Sequence, residues 1–249
     1  MKNNVFIKKA EEQENEYWKN SAYENPHNFS LENIANKSGN FKVFLEEISP
    51  YEDLFSQADT ILELGAGQGW ASCILKRKYT NKQFFCSDLS DYAIASVKYW
   101  EELFKVKMDR CIVCKSYNIP LDNSSVDIIF CFAAFHHFRD YQNTLREAYR
   151  VLKPNGHCLF LYEPSCRKYI YQFAYKRVNK LRTEVPEDVL VYKEILNTAK
   201  EAGFYEAKIK FRTILTNRKP FQTIYYYIMG KINILQKILP CTGDFLLKK

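Results

Sequence analysis

The sequence predicts an α/β protein built on a doubly wound, mainly parallel sheet, with helices placed before it and an inserted cap helix after its fifth strand. Three observations carry this. A short apolar run at 61–64 meets a glycine-rich turn, Gly65-Ala66-Gly67-Gln68-Gly69, and residues 70–78 continue with helical period. A second apolar run, 83–86, ends in Ser87-Asp88 roughly 20 residues beyond the turn. From there to residue 162 apolar runs alternate with helical stretches, and buried runs joined by helices make a parallel sheet covered on both faces.

Strands are expected at 61–64, 83–86, 110–114, 126–132 and 157–162. Helices are expected at 70–78, 91–105 and 140–151, the second opened by Ser90 as an N-cap. Ahead of the sheet, 8–20 reads as a helix with Tyr17 and Trp18 near its end. Residues 31–48 read as another, with Ile34, Phe41, Phe44, Leu45 and Ile48 on one face. Asn25-Pro26-His27-Asn28 breaks the chain between them. Beyond the fifth strand, 167–181 and 187–202 are helical, one helix more than a crossover needs. A strand at 205–214, a turn at 217–220, an antiparallel last strand at 221–229 and an amphipathic tail from Lys231, with Ile232, Leu235, Ile238 and Leu239 on one side, complete the chain. The expected division is a helical lid (1–50), a ligand-binding core (51–163), and a basic cap helix, last strands and tail of the same domain (164–249). The first segment has a second reading, a helical pair packed on the back of the sheet.

Hydrophobic residues make up 47% of the 249, ample for a core, which excludes global disorder. The N-terminus is too polar for a secretory signal and no run of about 20 apolar residues is present, so a cytoplasmic protein is expected. Most of the eight cysteines lie in apolar strands, and Cys86, Cys131 and Cys158 read as small core residues. Cys111 and Cys114 have zinc-like spacing, yet strand alternation sends their thiols to opposite faces, and no metal site is expected. The C-x3-C-x2-C spacing of a radical-type iron-sulfur cluster is absent.

Gly65, Gly67 and Gly69 carry no Cβ, so the backbone can take positive φ there and a ligand can lie against the turn, facing the N–H groups of the helix start. A dinucleotide site spaces its glycines G-x-G-x-x-G/A. Here the third glycine comes one residue early and Trp70 fills the position that should be small, which opposes a pyrophosphate and with it a dinucleotide-dependent oxidoreductase. Asp88 reads either as a ribose-binding acid or as a strand-end cap, and the turn upstream favours the ribose. This spacing, Glu63 two residues before the first glycine, and Asp88 together resemble the class I S-adenosylmethionine-dependent methyltransferases with a type 11-like domain. The resemblance implies a Rossmann-like fold and S-adenosyl-L-methionine as cofactor. It places Glu63, Gly65, Ala66, Gly67 and Gly69 around the methionine part and Asp88 at the ribose, with Leu89 and Phe132 as further cofactor contacts.

In such a sheet the ligand sits at the carboxyl ends of the strands. After the third strand, Lys115 falls where the resembled family has an acid for the adenine, which moves that contact to Ser116 and Tyr117. The fourth strand leads into His136-His137, similar to the family's small-x-x-His-His motif beside the methionine end of the cofactor. Either histidine is a candidate base, against the ordinary reading of a packed core histidine. Glu163, after the fifth strand, touches substrate or merely ends the strand. Residues 164–249 hold 17 Lys and Arg against 7 Asp and Glu, a net +10, which leaves −3 for the rest. Arg167, Lys168, Lys176, Arg177, Lys180 and Arg182 interleave with Tyr169, Tyr171, Phe173 and Tyr175. With Trp18 and Glu163, Arg167 and Lys168 are the expected substrate contacts. A methyltransferase acting on a small-molecule or lipid-linked, anionic acceptor, with a hydroxyl oxygen as the expected target, follows from these readings. An inactive cofactor-binding partner protein is the alternative. No nucleic-acid motif accompanies the charge, so no nucleic acid is expected, and contact with a membrane surface stays open.

Overall fold

Strand alternation sets the architecture. In the pairs Ile61/Leu62, Ile128/Ile129 and Leu159/Phe160 one side chain enters each of two separate hydrophobic clusters, one on either face of a central sheet. The computed structural model describes residues 2–21, 30–180 and 186–249, with side chains from Ile7 onward. The expected break at Asn25-Pro26-His27-Asn28, and Arg182 of the basic cluster, lie outside the described residues.

The strands are β1 (Thr60–Leu64), β2 (Gln83–Asp88), β3 (Arg110–Val113), β4 (Val126–Phe132), β5 (Leu152–Cys166), β6 (Leu190–Val191), β7 (Glu206–Arg212) and β8 (Cys241–Lys248). Their order is β3-β2-β1-β4-β5-β8-β7, with β6 paired to the end of β5. The first five run parallel, and β8 is antiparallel to both β5 and β7. Chain order reverses between β1 and β4, which opens a crevice at their carboxyl ends.

The helices are α1 (Lys2–Asn20), α2 (Leu31–Ile48), α3 (Glu52–Gln57), α4 (Trp70–Lys78), α5 (Asp91–Ala95), α6 (Val97–Phe104), α7 (Tyr141–Val151), α8 (Tyr171–Asn179), α9 (Tyr192–Glu201), α10 (Pro220–Lys231) and α11 (Asn233–Gln236). Phe44 and Ile48 of α2, Phe55 of α3, Trp70 and Leu75 of α4 and Trp100 of α6 cover one face of the sheet. Leu145 and Val151 of α7 and Ile195 and Ala199 of α9 cover the other. Thus α2 is a layer of the core, whereas α1 lies outside both clusters, over the carboxyl ends of the strands.

Four elements differ from the sequence expectation. Residues 221–229, rich in Tyr and Ile, form part of α10 and not the last strand. Pro220 occupies the first turn with its φ already set, and the Gln222 side chain accepts the Lys219 N–H at 3.3 Å, so the helix start overrides strand propensity. The last strand is β8, whose Gly243 and Asp244 weaken the sequence signal. Asp244 is fully buried and satisfied by the Tyr51 hydroxyl at 2.7 Å and the Tyr162 N–H at 3.1 Å, with Arg212 at 3.8 Å. The turn at Pro154-Asn155-Gly156 is absorbed into β5 as an irregularity, between the pairs Val126↔Leu152 and Ile128↔His157, with Asn155 at φ +64°. The expected helix 91–105 is interrupted at Ser96, and 187–202 becomes helical only at Tyr192 because Leu190–Val191 pairs with β5.

Phe160 of β5 stacks on Phe135 at 4.0 Å between ring centroids, and both are fully buried. Phe160→Ala is expected to cost about 3–5 kcal/mol in a denaturant titration, against less than about 1.5 kcal/mol for Phe160→Leu.

Candidate active site

The crevice beyond β1, β2 and β4 holds a cavity of about 610 Å³. Its floor is the glycine turn, where Gly65, Gly67 and Gly69 stand at φ +69°, +54° and +76°. A Cβ on Gly65 would meet Phe138 at 2.7 Å, and one on Gly67 would meet the Trp18 ring at 3.0 Å. Gly65 and Gly67 therefore admit no side chain. Gly69 is the left-handed N-cap of α4, where a Cβ would meet Val97 at 2.8 Å, and it sets the helix direction without lining the cavity.

Asp88 ends β2 at the cavity wall. Its Oδ2 accepts the Gly67 N–H at 2.8 Å and its Oδ1 accepts the Ser90 N–H at 2.9 Å, which fixes the turn against the strand end. Each carboxylate oxygen keeps a further lone pair for a ligand hydroxyl. Burial pushes the Asp88 carboxyl up to about 6 in spite of these two donors. Ala66, Leu89 and Phe132 also line the cavity, as do Ser116 and Tyr117. Lys115, in the place of the acid expected there, donates to Glu11 of α1 at 2.7 Å, and the Tyr117 hydroxyl donates to the same carboxylate at 2.6 Å. The acid at this corner thus comes from α1.

Glu63 faces away from the cavity. Its Oε2 accepts the Ser72 N–H at 3.0 Å and the Ser72 hydroxyl, inside the start of α4, and burial pushes its carboxyl up to about 8. It braces the turn from behind and is not a wall residue.

The two histidines separate. His136 is buried and its Nδ1 lies 2.7 Å from Glu163 Oε2, outside the cavity lining. Glu163, expected against substrate, is wholly enclosed: Oε1 accepts the Ala134 and Phe135 N–H groups at 2.9 Å each and Oε2 accepts the His136 N–H at 3.1 Å. His137 reaches the cavity, with Nδ1 3.5 Å from Glu14 Oε2 of α1, a charge contact longer than a good hydrogen bond. Burial alone lowers the His137 pKa, but the surrounding carboxylates, Glu14 first and then Glu187 and Glu163, together outweigh it and the net shift is upward.

Arg167 and Lys168 do not line the cavity, which corrects their expected substrate role. Arg167 donates to the Lys237 carbonyl at 2.7 Å, and Lys168 pairs with Glu194 at 2.9 Å. Trp18 does line it, together with its neighbour Tyr17 and with Lys37, Asn40, Arg139 and Glu187, for which the sequence carried no expectation. Only the α1 period offered a signal for Glu11 and Glu14, which sit three residues apart on one helix face. His136, His137 and Glu187 form the group of metal-ligand type among the described residues, with one ligand atom from each within 4.8 Å of the others. The cysteine spacing, on which the expectation of no metal rested, does not bear on this group, and the Nδ1 of its His136 is already engaged by Glu163.

Residues 62–160 match the methyltransferase domain family. The chain carries a class I S-adenosylmethionine-dependent methyltransferase domain. S-adenosylmethionine is the cofactor of this domain, and the bare backbone at Gly65 and Gly67 and the acid at the end of β2 fit it. The domain is 35% identical over 103 residues to an uncharacterised methyltransferase of Schizosaccharomyces pombe, covering 41% of this chain and 38% of that protein. It is 31% identical over 120 residues to a malonyl-[acyl-carrier protein] O-methyltransferase of Marinomonas, covering 48% and 43%. The chain thus spans about two fifths of the length of the curated relatives it matches. In fold it is similar to a sarcosine dimethylglycine methyltransferase structure from Galdieria sulphuraria, at TM-score 0.61 and 18% identity, over 97% of this chain and 98% of the other. That likeness extends the Rossmann-like methyltransferase architecture to the flanks of the domain.

If Asp88 must be ionised to accept ligand hydroxyls, cofactor affinity measured by calorimetry falls about tenfold per pH unit below about 6 and is flat above it. Asp88→Ala and Gly67→Val each weaken binding at pH 7 by about tenfold or more, and Asp88→Ala removes the acid-side dependence.

Proposed function

We propose that the protein transfers a methyl group from S-adenosylmethionine to a hydroxyl oxygen of a small-molecule or lipid-linked acceptor. The observation that carries this is His137: of the two adjacent histidines it alone reaches the cavity, with a carboxylate beside its Nδ1. The bound cofactor supplies an electrophilic sulfonium methyl group. Gly65, Gly67 and Asp88 orient it, and Tyr17 and Trp18 of α1 cover the cavity from outside, which excludes water and holds the acceptor in line. His137 takes the proton from the acceptor hydroxyl, and Glu14 stabilises the imidazolium that results. In this reading α1 is the lid, residues 51–163 form the cofactor core, and 164–249 complete the same domain.

Relatives named for O-methylation of a malonyl carrier protein support oxygen as the target. They also favour a second reading, a carboxylate acceptor held by Arg139 at the cavity wall, which needs no base. A cell extract incubated with methyl-labelled cofactor, then divided into lipid and water-soluble fractions, identifies the acceptor for the assay. For a hydroxyl acceptor, His137→Ala lowers turnover about 100-fold or more while cofactor affinity holds. Turnover rises with pH through the His137 pKa, because the base must be neutral. Glu14→Gln removes the contact that raises this pKa and moves the rising limb to lower pH. Near-normal turnover in His137→Ala, combined with loss in Arg139→Gln, would establish the carboxylate reading. Cofactor binding with no labelled product would leave a non-catalytic binding protein.

A further inference from the structure

Helix α10 is apolar on two sides. Met229 is buried, Tyr225 donates to the Pro240 carbonyl at 2.7 Å, and Tyr226 lies under the Arg218 guanidinium, so one side is packed against the protein. On the other, Phe221, Ile224 and Ile228, spaced three and four residues apart, are 89%, 57% and 45% exposed. Tyr227, Ile232 and Ile234 extend the exposed apolar surface through α11. A helix apolar all round belongs inside a protein or against an apolar phase, and this one is not enclosed by its own chain.

The surroundings of the patch are cationic. Residues 207–243 contain no Asp or Glu but carry Lys208, Lys210, Arg212, Arg218, Lys219, Lys231 and Lys237. Residues 164–180 also lack an acid and carry five basic residues. The two segments adjoin: Arg177 lies over the Tyr225 ring at 5.5 Å, and the Tyr169 hydroxyl donates to the Ile238 carbonyl at 2.6 Å. Tyr169 and Phe173 are themselves exposed. Lys219, Lys231, Lys237, Lys176 and Lys180 are exposed as well. Among the described residues no helix is long and apolar enough to cross a membrane.

We propose that α10, α11 and the adjoining face of α8 form a docking surface for an anionic lipid bilayer. Lysines and arginines meet the headgroup charge, while Phe221, Ile224, Tyr227 and Ile228 enter the boundary between headgroups and acyl chains. Charge selects this occupant. A second copy of the chain would bring a second net-basic surface against the first, and nucleic acid offers no apolar phase for the isoleucines. The position suits a methyltransferase domain, since Arg218 at the start of α10 lies over Tyr162, whose ring stacks on Phe132 of the cavity wall. The docking surface stands independently of the acceptor proposed above.

The full chain is tested by flotation with vesicles of phosphatidylcholine alone and with phosphatidylserine added, at low and high salt. Binding is expected only to the anionic vesicles and is expected to weaken with salt. The variant Lys219→Gln/Lys231→Gln/Lys237→Gln should bind about 100-fold more weakly. Phe221→Ser/Ile224→Ser/Ile228→Ser should lose at least tenfold while cofactor affinity, which reports the intact fold, stays unchanged. Absence of binding to anionic vesicles at low salt overturns the proposal. So does binding that the Phe221, Ile224 and Ile228 changes leave intact, or concentration-dependent self-association abolished by those changes without vesicle binding.

Discussion

The carboxylate of Glu163 holds the active-site end of the sheet together. It receives three consecutive backbone N–H groups, from Ala134, Phe135 and His136, and the His136 ring. The buried charge is tolerated because every donor around it points inward; burial raises its pKa, but His136 and the N–H groups outweigh that and hold it below the ordinary carboxylate range. One consequence is steric order in the turn after β4. With Phe135 and His136 drawn inward, Ala134, His137 and Phe138 are left on the cavity side. Phe138 then packs on Gly65, so the brace reaches the glycine turn as well.

A second constraint crosses the cavity. Glu11 meets Lys115 and Tyr117, Glu14 meets His137, and Trp18 covers Gly67. These are the contacts of one helix with the ends of β1, β3 and β4, and each is polar or lies at a glycine. Lid contacts of this kind close a site through a few polar pairs, without the large apolar burial that would hold it shut. The basic residue at 115 makes sense in these terms: it gives up the acid usual at that corner in the resembled family and gains a partner on the lid.

The core of the fold was legible because its signals are local. The apolar runs at 61–64 and 126–132, the helix 70–78 and the N-cap Ser90 depend on residues within a turn or two of each other. The glycine turn and Asp88 were legible for the same reason, since a short spacing brings them together. What the sequence did not disclose depends on distant partners. Strand β8 contains Asp244, which is stable there only because Tyr51, Tyr162 and Arg212 arrive from elsewhere. Likewise, nothing local tells which of two adjacent histidines turns inward; Glu163, 27 residues from His136, decides it.

Charge counting located a basic segment correctly and gave it the wrong neighbour. A count along the chain carries no direction, and the helix expected to cap the substrate pocket contributes no residue to the cavity wall. Strand β6 shows why it does not sit there. Pairing of Leu190–Val191 with Ser165–Cys166 extends the sheet at the end of β5, and Arg167 follows at once, committed to the Lys237 carbonyl beside α11. Residues 167–180 are thereby directed toward the C-terminal helices, and among the described residues the chain returns to the crevice only at Glu187. The positive charge of 164–180 therefore adjoins that of 207–243, while the cavity takes its own charges, Glu11, Glu14, Lys37, Asp88, Lys115, Arg139 and Glu187, from the strand ends, the first two helices and the residues just before β6. Charges that line a cavity act on its contents at contact range. The summed field of the basic side acts at longer range, out to about 8–10 Å at ordinary ionic strength, and on the docking proposal it would orient the whole molecule rather than the acceptor.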